Sequence, residues 1–148
     1  MSLNNIEDFA IDENDQEDTE DSQTSAFGEI DVSNLLRFVK IAYDAIADKM
    51  GEEIIMLDIS QVSIISEFFI IASANNSNQL KAITEHLQEK LHLAGLRVRH
   101  IEGVQSARWV LIDFGNIIIH LFCKEEREYY RLEKLWGDAK HILPDELI

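Results

Sequence analysis

The chain has 148 residues, with 28 acidic side chains against 13 basic ones and one cysteine. That length holds a single domain of roughly 115 residues behind an acidic leader, with one core and no room for a second domain. An excess of acids excludes a phosphate-neutralising nucleic-acid surface, the lone Cys123 excludes an intramolecular disulfide, and no apolar run is long enough to span a bilayer.

Residues 1–30 hold ten acids (Glu7, Asp8, Asp12, Glu13, Asp15, Glu17, Asp18, Glu20, Asp21 and Glu29) and no Lys or Arg, leaving 18 acids against 13 bases, a net of −5, for the rest. The expectation is a solvated, disordered acidic tail over 1–30 and a globular domain over 31–148. Two sharper roles for the tail stay open: folding back over Arg97, Arg99 and Arg108, or steering the protein toward a basic partner. An apolar secretory core and an Arg-rich transit segment are both absent from this stretch, which points to the cytoplasm.

Beyond the tail the elements alternate. Ser33 is placed to cap a helix whose apolar positions Leu35, Leu36, Val39, Ala42, Tyr43 and Ile46 repeat with a 3.6-residue period, ending near Met50-Gly51. Glu53 to Ile59 reads as a strand and Phe68 to Ala74 as a second, more apolar one. Ser77 is read as the cap of a helix with Leu80, Ile83, Leu87 and Leu91 on one face and Gly95 as its stop signal. Leu96 to Ile101 is the third strand, and the unit from 68 to 101 has the length of a crossover joining parallel strands.

Next comes the clearest local signal, Trp109 to Phe122, where the turn dipeptide Gly115-Asn116 separates two runs rich in Val, Ile and aromatics. A two-residue loop puts Trp109, Leu111 and Asp113 on one face with Ile118, His120 and Phe122. Val110, Ile112, Phe114, Ile117, Ile119 and Leu121 fill the opposite face, which is all apolar and therefore core. The Trp, Asp and His of the first face suit a protein partner better than solvent. A last helix starts near Lys124-Glu125, with Tyr129, Leu132, Leu135, Trp136 and Ala139 as its stripe. Tyr129 and Trp136 are assigned to packing, and Tyr130, elsewhere on the wheel, to a contact.

The constellations that carry chemistry are thin. His100 and Glu102 share a strand face, but His120 and Cys123 point to opposite faces, which argues against zinc or a Cys-His nucleophile. His86 and His92 are too far round their helix for joint ligation. No metal, cofactor or Gly-rich phosphate loop is expected, and Cys123 reads as a buried structural thiol.

The segments Ser66-Glu67-Phe68-Phe69-Ile70-Ile71-Ala72, Ile101-Glu102-Gly103, Trp109 to Asp113 with Gly115, His120-Leu-Phe122, Glu126-Arg127-x-Tyr129-Tyr130 and Leu132-Glu133-x-Leu135-Trp136 resemble, in that order, the Iojap family of ribosomal silencing factors. The resemblance runs over residues 33–139. It implies an α/β fold like that of nucleotidyltransferases, a mixed sheet of about five strands with helices packed on it. It also implies binding to the large ribosomal subunit through its fourteenth ribosomal protein, steric blocking of small-subunit joining, and repression of translation when nutrients are scarce. No chemical step is involved, and a homodimer of the free protein stays open. Carried over by position, Trp109, Leu111 and Asp113 match the family's hairpin, with Trp109 as apolar anchor and Asp113 as partner for an Arg or Lys. His120 and Phe122 join them by sharing the face, and Tyr130 completes the set. The chain departs from the family at Glu67-Phe68, Asn75 and Asn116, where an acid is usual at 116. The implied fold raises nucleotidyl transfer as an alternative, but that chemistry needs grouped carboxylates and a Gly-Ser element. The domain has neither a Gly-Ser dipeptide nor an Asp-x-Asp on any predicted strand. A non-ribosomal interaction module is the remaining alternative.

Overall fold

A computed structural model describes residues 32–147; the acidic tail predicted over 1–30 lies outside the described residues. Helix α1 (Val32–Asp48) leads into strand β1 (Glu52–Asp58), strand β2 (Phe68–Ala74) and helix α2 (Ser77–Leu93). The short strand β3 (His100–Glu102) precedes the hairpin β4 (Trp109–Asp113) and β5 (Ile117–Cys123). Two short helices, α3 (Lys124–Tyr130) and α4 (Leu132–Leu135), strand β6 (Lys140–Ile142) and a 3-10 turn (Pro144–Leu147) complete the chain.

The six strands form one mixed sheet in the order β3-β4-β5-β2-β1-β6. β5 pairs parallel to β2, and the remaining pairs are antiparallel. The crossover from β2 through α2 does lead to a strand of the same direction, because β3 runs antiparallel to β4 and β4 antiparallel to β5. Its neighbour is β4, however, and two strands separate it from β2. The sixth strand was not expected, and three residues are too few to show a period of two.

The helix ends follow local chemistry. α1 starts at Val32, so Ser33 lies inside its first turn. α2 is capped one residue earlier than expected, by Asn76, whose Oδ1 accepts from the Gln79 N-H at 2.8 Å. At its other end Gly95 takes a φ of +100°, with its N-H on the His92 carbonyl and the Leu96 N-H on the Leu91 carbonyl. That reciprocal pair is the Schellman stop Gly95 signals in the sequence. Gly103, at a φ of +86°, packs so closely that a Cβ would run into the Trp109 carbonyl.

The period of two sorts the core into two layers. Met56, Phe68, Ile70, Ala72, Val110, Ile112, Ile119 and Leu121 face α1 and α2, meeting Val39, Ala42, Ile46, Leu80, Ile83 and Leu87. On the opposite face Leu57, Phe69, Ile71, Trp109, Leu111, Ile118 and Phe122 form a second cluster with Leu132, Trp136 and Ala139. The chain beyond residue 130 therefore covers the face that the sequence reading left open.

That cover depends on a break. The last helix is not continuous: Arg131 adopts a left-handed conformation, φ 48° and ψ 50°, ending α3 and starting α4. The break overturns the single-helix assignment at Tyr129, Leu135 and Tyr130, while Leu132, Trp136 and Ala139 of the expected stripe are buried. Tyr129 is 80% exposed and Leu135 58% exposed, while Tyr130 stacks inward on Trp109 with ring centroids 4.7 Å apart. Since a non-glycine residue is strained in this region, Arg131→Gly is expected to raise stability by about 0.5–1 kcal/mol, measured by chemical denaturation.

Candidate partner-binding site

The hairpin register confirms the shared face. Trp109 stands opposite Phe122, Leu111 opposite His120 and Asp113 opposite Ile118. β3 extends this face by placing His100 opposite Asp113 and Glu102 opposite Leu111. The structure thus brings the hairpin residues together with Tyr130 and adds His100 and Glu102 to them.

Their exposure corrects the expectation of an open contact face. His120 and Phe122 are 0% exposed, and Leu111, Trp109 and Asp113 only 4–8% exposed. The cause is the aromatic cover. Trp109 packs on Phe122 at 4.8 Å and on Tyr130 at 4.7 Å, and Phe69 lies 5.0 Å from both His120 and Trp136. His120 and Phe122 act from below, fixing the residues above them; the side chains at the rim are Glu102, which is exposed, and His100 and Tyr130, which are half-buried.

Asp113 is committed to the turn. Its Oδ1 accepts the Gly115 N-H at 2.7 Å, an Asx-turn that sets the loop where Gly115 takes a φ of +93°. The departure at position 116 also has a partner: the Asn116 amide donates to Glu67 Oε1 at 2.9 Å, tying the turn to the segment entering β2. An acid at 116 would repel Glu67, so Asn116 suits this chain's own neighbour.

His120 is held neutral. The Trp109 indole N-H donates to its Nδ1 at 3.3 Å, so the ring proton resides on Nε2, an atom with no hydrogen-bond partner among the described residues. Burial lowers its pKa to about 3. A base depressed in the fold protonates first in the unfolded chain, so its stability contribution is lost as pH falls from about 6.5 toward 3. The difference in unfolding free energy between the parent and His120→Gln is expected to shrink by about 2.5 kcal/mol between pH 7 and pH 4.5. Parallel denaturant curves at the two pH values check this, and a pH-independent difference would contradict the neutral buried ring. Cys123, also buried, has its thiol pKa pushed up by that burial.

Two arginines have roles that the sequence reading did not assign: it named Arg127 only within a motif and Arg108 only as part of a patch for the tail. Arg127 is buried, its Nη1 donating to the Glu53 carbonyl at 2.7 Å and to Ser73 Oγ at 2.8 Å, with Nε 3.5 Å from the Glu133 carboxylate. Its site is prepared by a register shift in β1, where Glu53 takes a φ of +50°. Arg108 grips Glu126 through two bonds of 3.0 and 2.9 Å, joining the start of β4 to α3. A signal for the first was present: Ser73 lies between alanines in an otherwise bulky strand, leaving room for a long side chain. Among the described residues, no three His, Cys, Asp or Glu side chains come together as a metal site, and no helix is long and apolar enough to cross a membrane.

A mixed six-stranded α/β domain, packed on both faces and with a polar edge at β3, is the class this architecture defines. The same fold occurs in a solved protein from Chromobacterium violaceum, which superposes with a TM-score of 0.66 at 36% identity, over 68% of this chain and 83% of that one. Residues 32–147 match the family model described as ribosomal silencing factor during starvation. A ribosomal silencing factor of Halalkalibacterium halodurans is 42% identical over 104 residues, 70% of this chain and 89% of that protein. A mouse protein named mitochondrial assembly of ribosomal large subunit protein 1 is 35% identical over 74 residues, 48% of this chain and 32% of that one. The chain belongs to the ribosomal silencing factor family.

Proposed function

We propose that this chain represses translation in the cytoplasm by binding the large ribosomal subunit through its fourteenth ribosomal protein and sterically blocking the small subunit, as family resemblance implies. The match of the whole described domain to the silencing-factor family carries the reading. The large subunit also appears in the name of the mouse relative. A net negative domain suits a basic ribosomal protein, and charge complementarity of this kind speeds encounter and fixes register.

The contact is assigned to the β3 edge. Glu102 meets the partner's cations, the half-buried His100 and Tyr130 complete the rim, and the buried Trp109, Leu111, Asp113, His120 and Phe122 hold that rim from beneath. Glu102→Lys tests this, because Glu102 is exposed and its loss leaves the core intact. The variant is expected to bind large subunits about tenfold more weakly, with a flatter salt dependence and an unchanged melting temperature. Unchanged affinity would move the contact away from β3.

A further inference from the structure

The excess of acids is not spread evenly along the domain. Residues 90–101 contain Lys90, His92, Arg97, Arg99 and His100 and no Asp or Glu, in a chain that carries 28 acids. Lys90 and His92 lie in the last turn of α2, where cations suit the negative end of the helix dipole. Arg97 and Arg99 stand beyond the helix, and the dipole does not account for them.

Their placement is fixed by the fold. Leu96 and Val98 pack on the helix-side core, so the alternating Arg97 and Arg99 point outward, and both are exposed. Residues two apart in an extended chain stand roughly 6–7 Å from each other, close to the step between successive phosphates of a nucleic-acid strand. The Arg99 N-H is held on the Asp113 carbonyl at 2.8 Å, and its side chain lies across Gly115, where an added Cβ would come within 3.1 Å of Cδ. Arg97 shares an open cleft with His92, and Glu89 is the one acid on the wall of that cleft. Neither arginine has an ion-pair partner among the described residues, whereas Arg108 and Arg127 are both engaged by glutamates. Two oriented guanidinium forks with no carboxylate of their own are suited to phosphate oxygens, which they hold bidentately.

We propose that Arg97 and Arg99, with Lys90 and His92 beside them, form a basic strip that holds the phosphate backbone of ribosomal RNA next to the protein contact at β3. The inference rests on the ribosomal reading and adds a second class of partner to it. The strip lies at the end of α2 and Glu102 on the opposite face of the sheet, with the edge strand β3 between them, so a surface of mixed RNA and protein meets both. Total charge excludes a nucleic-acid surface for the chain as a whole, and that same charge makes the strip selective. Acids elsewhere on the domain repel phosphates, and RNA approaches favourably from this side. Backbone contacts of this kind read no base sequence and act by fixing orientation.

Two readouts on the full chain test the strip. In the first, a mixed-sequence RNA duplex of about 20 base pairs is titrated at about 50 mM salt, where phosphate contacts are strongest. Amide shifts are expected at residues 90–99 and at Gly115, and are lost in Arg97→Gln/Arg99→Gln. In the second, binding to large subunits is followed as a function of salt. The double Gln variant is expected to bind about three- to tenfold more weakly at about 0.1 M salt and to flatten the slope of log affinity against log salt by roughly 1.4–1.8, the share of two phosphate contacts. Arg97→Lys/Arg99→Lys is expected to keep most of the slope, and both variants to melt with the parent, since the two side chains are exposed. Duplex shifts that leave residues 97–99 untouched overturn the proposal. So does a salt slope unchanged in the Gln variant; weaker binding at that unchanged slope would mark a carboxylate of the partner protein as the group the arginines meet. If the parent binds no subunit, the ribosomal reading falls, while the duplex titration still decides whether the strip takes RNA phosphates.

Discussion

Trp109→Ala is expected to cost the fold about 3–5 kcal/mol, the range for removing a buried aromatic side chain, and to lower the melting temperature by roughly 10–20 °C. Trp109 is only 8% exposed and contacts Phe122, Tyr130 and His120. Its loss leaves a cavity beneath α3 and removes the single donor to His120 Nδ1, adding a polar penalty to the packing one. Thermal and denaturant unfolding of the purified variant check this. A melting temperature within about 2 °C of the parent would mean that Trp109 is a surface anchor only. In the structure the hairpin parity is as expected and Trp109 is core all the same, because both faces of the sheet are covered.

Arg127→Met is expected to destabilise the domain by about 3 kcal/mol despite the favourable volume match. The substitution leaves the Glu53 carbonyl and Ser73 Oγ without their donor and leaves Glu133 without its cation. Buried polar groups stripped of partners cost more than the original bonds gained. Arg127→Lys is expected to recover only part of the loss, since one ammonium cannot reproduce the planar fork. Because α3 is fixed to the sheet through this residue, Tyr130 should loosen from Trp109, and near-ultraviolet circular dichroism would record the change. Full stability in Arg127→Met would show that α3 is held by the Arg108–Glu126 pair instead.

The hairpin was legible because everything that specifies it is local. Gly115-Asn116 sets the turn, β-branched residues set the strands, and a two-residue loop fixes the parity that pairs Trp109 with Phe122 and Leu111 with His120. Exposure was not legible from the same pattern. Parity tells which side chains share a face; what lies over that face is decided by distant residues, here Leu132, Trp136 and Ala139. Those residues arrive only because the chain breaks at Arg131, and nothing in Tyr130-Arg131-Leu132 resembles a Gly or Pro breaker. A wheel drawn through the break put Tyr129 inside and Tyr130 outside, the reverse of what occurs. β3 and β6, three residues each, are defined by their partner strands and carry too little periodicity of their own. Glu102, the exposed acid on the assigned edge, was read in the sequence as sharing a strand face with His100 and not as a contact.

The most direct test of the proposed function is sedimentation of purified full-length protein with isolated large subunits, small subunits and joined ribosomes, with Glu102→Lys alongside. The expected result is co-sedimentation with large subunits alone, fewer joined ribosomes as protein is added, and about tenfold weaker binding by a variant that melts at the parent's temperature. Binding to small subunits, or large-subunit binding that leaves subunit joining intact, would contradict repression by steric exclusion.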